Sequence, residues 1–353
     1  MRVETLLPGL DPGSLAGAAA GAAPIAGLAA AARQIEELGF DGLTTPETGH
    51  DPFLPLVIAA EHTSRIRMGT NVAIAFPRSP MTVAQQAWDL QRFSGGRFLL
   101  GLGTQVKGHN ERRYSTPWSG PPGPRLREYV LCLRAIFQTF QNGVQPGFSG
   151  EHYQFTLMSP FFNPGAIDHP QIPIYISALN PYMARLGGEM CDGIRLHPLA
   201  TARYAREVLL PAIEAGAGKA GRSQSDIDIV AMPFLVTGAT AAEVEAAKAA
   251  VRMHIAFYAS TRTYHSVLEF HGWVDAGLEL HELSLQGRWP EMGRLISDEM
   301  LSEFATVGTH DELAPRLSER WKGVTSTLFL PLLSQVPADE NVVRQVVRHL
   351  QRG

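Results

Sequence analysis

The sequence has little cysteine. Only Cys132 and Cys191 occur in 353 residues, which excludes a disulfide framework and a cysteine-based metal cluster. Both lie in apolar surroundings and are expected as buried thiols. No apolar run is long enough to cross a bilayer, which takes about 20 residues. An excess of one charge is also missing: 30 Lys and Arg against 34 Asp and Glu leave a net charge of −4. The basic residues are scattered, and "ERR" at 111–113 is their tightest cluster. Neither nucleic acid nor an acidic membrane is therefore expected as a partner. No G-x-G-x-x-G follows the first strand, which counts against a dinucleotide-binding domain. No G-x-S-x-G appears, which counts against a serine hydrolase. No H-x-x-x-H or carboxylate cluster supplies a metal site. "GSLAGAAAGAAPIAGLAAAA" has the look of a signal-peptide core, but Glu4 and Asp11 precede it and no basic segment directly does. It reads as a loop running into a helix, and a cytoplasmic protein is expected.

What is present is a rhythm. Short, almost wholly apolar runs such as "VETLLP", "RFLLGLGT", "IPIYISAL" and "DIDIVAMPFLVTG" alternate with longer amphipathic stretches. Punctuation is clear: Gly39 stops the first helix, Ser79 and Pro80 start another, and Gly95 and Gly96 end it. Strands apolar on both faces belong in a parallel sheet covered by helices. About eight strand–helix units in one chain predict a single (β/α)8 barrel spanning 1–353. Two stretches exceed ordinary loops, about 105–124 after strand four and about 261–324 before strand eight. Long excursions in a barrel usually roof the active site.

One stretch resists that pattern. "RIRMGTNVAIAFPRSP", residues 65–80, is a strand broken by Gly69, Thr70 and Asn71. Taken alone, the break is a β-bulge, a strand end, or a feature kept for a ligand.

In a barrel, functional side chains gather where strands end. Strand two is followed by Glu47, Thr48 and His50, and strand three by Asn71 and Val72. Strand four is followed by Thr104, Gln105, Lys107, His109, Glu111, Arg112 and Arg113. Strand five ends in Ser177, Ala178, Leu179 and Asn180, and strand six in Arg195 and His197. "SALNPYM" is a strand-to-helix turn whose first helical turn exposes unpaired N–H groups, a geometry suited both to capping by Asn180 and to a phosphate.

"GFDGLTTPE", "TSRIRMGTNV", "PMTVAQQAWDLQRFSGGRFLLGLGT", "IPIYISALNPYMARLGGEMCDGIRLHPL" and "FATVGTHDELAPRL" together resemble the luciferase-like flavin/deazaflavin oxidoreductases over nearly the whole chain. The likeness is greatest to the branch that uses coenzyme F420. It implies an enzyme that passes a hydride between the deazaflavin and a small organic substrate, and a homodimer. The alternatives are an FMN-dependent monooxygenase using reduced flavin and O2, and a family member that binds flavin without turnover. The resemblance also supplies a reason for the broken strand: a cis peptide at Asn71–Val72 that backs the cofactor ring. It implies cofactor contacts from Asn71, Val72, Thr104, Gln105, Ser177, Ala178, Leu179 and Asn180, with the phosphate-bearing tail at the last four. Two departures stand out. Several relatives have a histidine where this chain has Thr48, and some have a glutamate where it has Val106. The acid–base role is therefore expected at His50, His109 or His197, with Glu47 also a candidate.

Overall fold

The computed structural model describes residues 1–7, 25–331 and 339–352. Eight parallel strands close into a barrel: β1 (Arg2–Leu6), β2 (Gly42–Thr45), β3 (Arg67–Thr70) with its short continuation β4 (Ala73–Ile74), β5 (Phe98–Gly103), β8 (Ile174–Ala178), β9 (Gly193–Leu196), β10 (Asp228–Ala231) and β13 (Thr327–Phe329). Each strand pairs with the next in this order, β3 also pairs directly with β5, and β13 returns to β1, so no edge is left open. The remaining strands lie outside the barrel. β6 (Phe148–Ser149) and β7 (Gln154–Phe155) form a small hairpin, and β11 (Phe234–Gly238) pairs with β12 (Ala305–Thr309).

The barrel helices are Ile25–Leu38, Leu54–His62, Pro80–Phe93, Pro122–Asn142, Pro181–Met190, Leu210–Lys219, His310–Trp321 and Glu340–Arg352. Local chemistry sets their ends. Ser79 caps Pro80–Phe93 by accepting from the Thr82 N–H at 3.1 Å, and Gly95 and Gly96 leave it at φ +64° and +87°, where a side chain would be strained. The helical stretch 202–219 is interrupted by a π-turn at Ala205–Leu209. Pro211 has no N–H to donate to the preceding turn, so the ladder widens ahead of it. The alanine-rich run read as loop plus helix falls partly outside the described residues; its described part is helical from Ile25.

Trp88 shows how the helices seat on the barrel. It is fully buried, stacks on Phe137 at 5.6 Å between ring centres and donates its indole N–H to the Gly165 carbonyl at 3.0 Å. A buried ring such as Phe137 contributes about 1.5–3 kcal/mol. Both cysteines are buried and unpaired, as expected. Burial pushes the Cys132 thiol up to about 11 and that of Cys191 up to about 12, so both stay protonated and inert. The N-terminal end of the barrel is closed by Asp228, which accepts from Tyr175 at 2.6 Å and from Thr327 at 2.8 Å and pairs with Arg2 at 2.7 Å. The open end is therefore the opposite one, where the strands finish.

The seventh unit differs from the expected single strand. "DIDIVAMPFLVTG" breaks at Met232 and Pro233: β10 stays in the barrel, whereas β11 leaves it and pairs in parallel with β12. Pro233 cannot donate to a ladder, which suits a strand boundary. Between β11 and β12 run the helices Ala241–Ala259, His265–His271, Val274–Leu285, Trp289–Met292 and Asp298–Phe304. No helix among the described residues is long and apolar enough to cross a membrane.

Candidate active site

The strand ends enclose a cavity of about 630 Å³, within the size range of cofactor and ligand sites. Its floor is apolar: Leu6, Val72, Ile74, Leu196 and Phe329 come from five positions around the barrel. Asn71 and Val72 line it, and the peptide between them is cis. Gly103 faces this bond. A Cβ there would stand 2.6 Å from Val72 Cγ2, so glycine is what lets β5 approach the bulge so closely.

Of the expected cofactor contacts, Thr104, Gln105, Ser177, Leu179 and Asn180 also line the cavity, whereas Ala178 is buried in the core behind them. Asn180 accepts from the Met183 N–H at 2.9 Å and so caps the helix Pro181–Met190, whose N-terminus opens on the cavity. The turn after β5 is held by Asn110, fully buried, whose amide donates to the Thr104 carbonyl at 3.0 Å and the Val106 carbonyl at 3.2 Å.

The four acid–base candidates do not meet. His50 and His109 are exposed and lie outside the cavity lining. Glu47 lines the cavity, but its carboxylate is fully engaged. Arg78 donates to both oxygens at 2.8 and 2.7 Å, the Ile74 N–H to one at 2.6 Å and the Tyr114 hydroxyl to the other at 3.1 Å. Glu47 thus braces the mouth, tying the end of β2 to β4, to the turn at Arg78 before the helix Pro80–Phe93 and to the excursion after β5.

His197 is the one histidine of the three in the cavity wall. The Leu199 N–H donates to its Nδ1 at 3.1 Å, so the ring proton sits on Nε2. Tyr264 and Tyr258 flank it, with ring centres at 4.2 and 4.9 Å. Burial, with His254 adding, pushes the imidazole down to about 3. His197 is therefore neutral near pH 7, a hydrogen-bond donor and not an acid.

Sequence reasoning placed Arg195 at a strand end without giving it a task, and gave no role to Glu4, Arg78, Tyr258 or Tyr264. Arg195 reaches into the barrel and pairs with Glu4 at 2.9 Å, both almost wholly buried. Its Nε and Nη2 are buried without a partner among the described residues, and the residue lines the cavity. A charge inside an otherwise apolar strand, as in "VETLL" and "GIRL", was the available signal. Tyr258 and Tyr264 had none, because they arrive from a distant helical segment. The residues together fit a flat ring with a polar tail: an apolar floor, a Cβ-free wall at Gly103, buried donor atoms on Arg195, and a capped helix N-terminus with Lys107 at the rim.

A closed parallel barrel with such a cavity at its strand ends has an opening of the size and shape for a flat ligand where barrel enzymes place their active sites. The chain belongs to the luciferase-like monooxygenase family, whose model matches residues 1–327. It is 45% identical over 328 residues to an uncharacterised protein of Mycobacterium tuberculosis, covering 93% of this chain and 95% of that one. It is 30% identical to the 5,10-methylenetetrahydromethanopterin reductase of Archaeoglobus fulgidus over 301 residues, covering 83% and 86%. Among solved structures, the coenzyme F420-dependent tetrahydromethanopterin reductase of Methanopyrus kandleri superposes with a TM-score of 0.75 at 21% identity, over 99% of this chain and 98% of that one. An EDTA monooxygenase from Chelativorans superposes with a TM-score of 0.71 at 17% identity, over 100% and 94%. The family and the cavity agree on a flavin or deazaflavin cofactor.

Proposed function

We propose that the protein is an oxidoreductase that uses coenzyme F420 to exchange a hydride with a small organic substrate. The observation that carries this reading is the cavity: an apolar floor backed by Asn71–Val72, opening toward the N-terminus of the helix Pro181–Met190 and Lys107. Likeness to a putative coenzyme F420-dependent oxidoreductase of Mycobacterium tuberculosis, 28% identical over 322 residues, favours a deazaflavin over FMN. Bound there, the coenzyme supplies a hydride donor or acceptor at one ring carbon. The chain's own residues do the rest. Leu6, Val72, Ile74 and Leu196 keep water from the back of the ring. The first turn after Asn180 and the Lys107 ammonium favour an anionic tail. His197 offers Nε2–H to a substrate oxygen, and the balancing proton comes from water at the open mouth.

Titration of the purified protein with F420, FMN and FAD tests this. F420 is expected to bind at least about tenfold more tightly than FMN, a difference of about 1.4 kcal/mol. Equal or tighter FMN binding would shift the reading to the oxygen chemistry of a reduced-flavin monooxygenase. If a cofactor binds but no substrate ever oxidises or reduces it, the protein is a non-catalytic binder.

A further inference from the structure

We propose that the wall formed by Phe234, His254, Tyr258 and Tyr264 together with His197 is the substrate subsite, and that it takes a flat, uncharged carbonyl compound, aromatic or conjugated, whose oxygen sits on His197 Nε2–H. The subsite rests on the reading above only in needing a ring to face; its binding chemistry stands on its own residues.

All five side chains line the cavity. They form a continuous aromatic surface: His197 lies 4.2 Å from Tyr264 and 4.9 Å from Tyr258, His254 stacks on Tyr258 at 5.1 Å, and Phe234 meets His254 at 5.4 Å. Such surfaces gain most from planar π systems placed at offset or edge-on geometry.

Charge argues the same way. The lining contains three permanently charged side chains, Glu47, Lys107 and Arg195. Glu47 is taken by Arg78, Arg195 is paired with Glu4, and Lys107 stands at the exposed rim. None belongs to the aromatic wall. Apart from the His254 imidazole, a phosphate or carboxylate placed there would meet no counter-charge from the wall, and taking it out of water is costly. A carbonyl oxygen needs only one donor, and His197 has one: its Nδ1 is occupied by the Leu199 N–H, and no described residue accepts from Nε2. The imidazole holds that oxygen and does not transfer the proton, since losing Nε2–H would leave an anion.

Four probes separate the chemistries: acetophenone, ethylbenzene, benzoate and glucose 6-phosphate. Each is titrated into the protein with and without coenzyme F420, with binding read by ligand-observed NMR, which needs no turnover. Acetophenone is expected to bind about tenfold or more tightly than either anion, and more tightly than ethylbenzene. His197→Phe should abolish the preference for acetophenone over ethylbenzene while keeping the ring surface. Tyr264→Ala should weaken acetophenone about tenfold; Tyr264→Leu, which fills the space, should weaken it too if the aromatic face matters. Thermal unfolding checks that each variant is folded. Benzoate or glucose 6-phosphate binding as tightly as acetophenone would overturn the proposal, as would acetophenone binding unchanged in the folded Tyr264 variants. If F420 binds and acetophenone does not, the subsite fails and the cofactor reading stands. If acetophenone shows the expected pattern and F420 does not bind, the reverse holds.

Discussion

Arg195 on β9 reaches Glu4 on β1 across the inside of the barrel, Nη1 to Oε2 at 2.9 Å, with both side chains no more than 2% exposed. Two charged groups are thus taken out of water at the base of the cavity, which Arg195 lines. Removing one partner leaves the other buried and unpaired. Glu4→Gln is expected to cost about 3–5 kcal/mol, read by urea denaturation. The double change Glu4→Leu with Arg195→Met should cost less than the sum of the single changes, because no charge remains to be stranded. Additive losses would mean that the pair is not coupled.

The Glu47 brace gives a second expectation. Glu47→Gln keeps the shape but removes the charge that holds Arg78. Stability should fall by about 2–4 kcal/mol, and cofactor affinity should fall with it, because Ile74 next to the Asn71–Val72 bulge is bonded to the same carboxylate. Tyr114→Phe removes one neutral donor to that carboxylate and should cost only about 1–2 kcal/mol. Calorimetric unfolding with parallel titrations checks both.

Two glycines of β5 should behave differently. A Cβ at Gly101 would stand 2.1 Å from the Thr70 carbonyl oxygen, a backbone atom that cannot yield. Gly101→Ala is expected to prevent folding or cost several kcal/mol, more than the usual about 1–3 kcal/mol of overpacking. At Gly103 the obstacle is the Val72 side chain. Gly103→Ala should fold, with a loss near that ordinary range, and bind cofactor about tenfold more weakly because Val72, part of the floor, is displaced. Expression yield and titration together distinguish the two.

His197 sets a pH dependence of stability. Its folded value of about 3 lies below the ordinary 6.5, so the unfolded chain binds a proton that the folded protein refuses. Stability from this group is full above pH 6.5 and is lost as pH falls toward 3, at up to about 1.4 kcal/mol per pH unit. The His197→Phe variant should lose less stability than the parent between pH 7 and pH 4. Parallel slopes in urea melts over that range would show that His197 does not titrate this way.

Asn180→Asp separates capping from tail binding. A carboxylate caps a helix as well as an amide and favours the dipole, so stability should change by less than about 1 kcal/mol. Affinity for a cofactor with an anionic tail should still fall. Unchanged affinity would move the tail away from this turn.

The barrel was legible because its signals are local and repeated. Runs such as "RFLLGLG" are apolar on both faces, and Ser79, Gly39 and Gly95 mark ends that the backbone requires. The departure of β11 was not legible, because its partner β12 lies some seventy residues away and nothing near Phe234 announces it. Only Pro233 hinted at a break. The placement of Asn71, Val72, Asn180 and His197 around one cavity followed from their positions at strand ends. The tautomer of His197 did not, since it depends on the Leu199 N–H. The engagement of Glu47 did not either, because its partners Arg78 and Tyr114 come from two other elements.

The β11–β12 pair has a consequence for how the fold can change. The segment between these strands departs and returns side by side, and its helices also rest on the stretch after β9, where His271 meets Thr201 at 2.9 Å and Phe270 packs on Tyr204. Its helices supply Tyr258, Tyr264 and His254 to the cavity but contribute nothing to the floor under the ring. Exchanging that segment would give the same redox engine a different appetite.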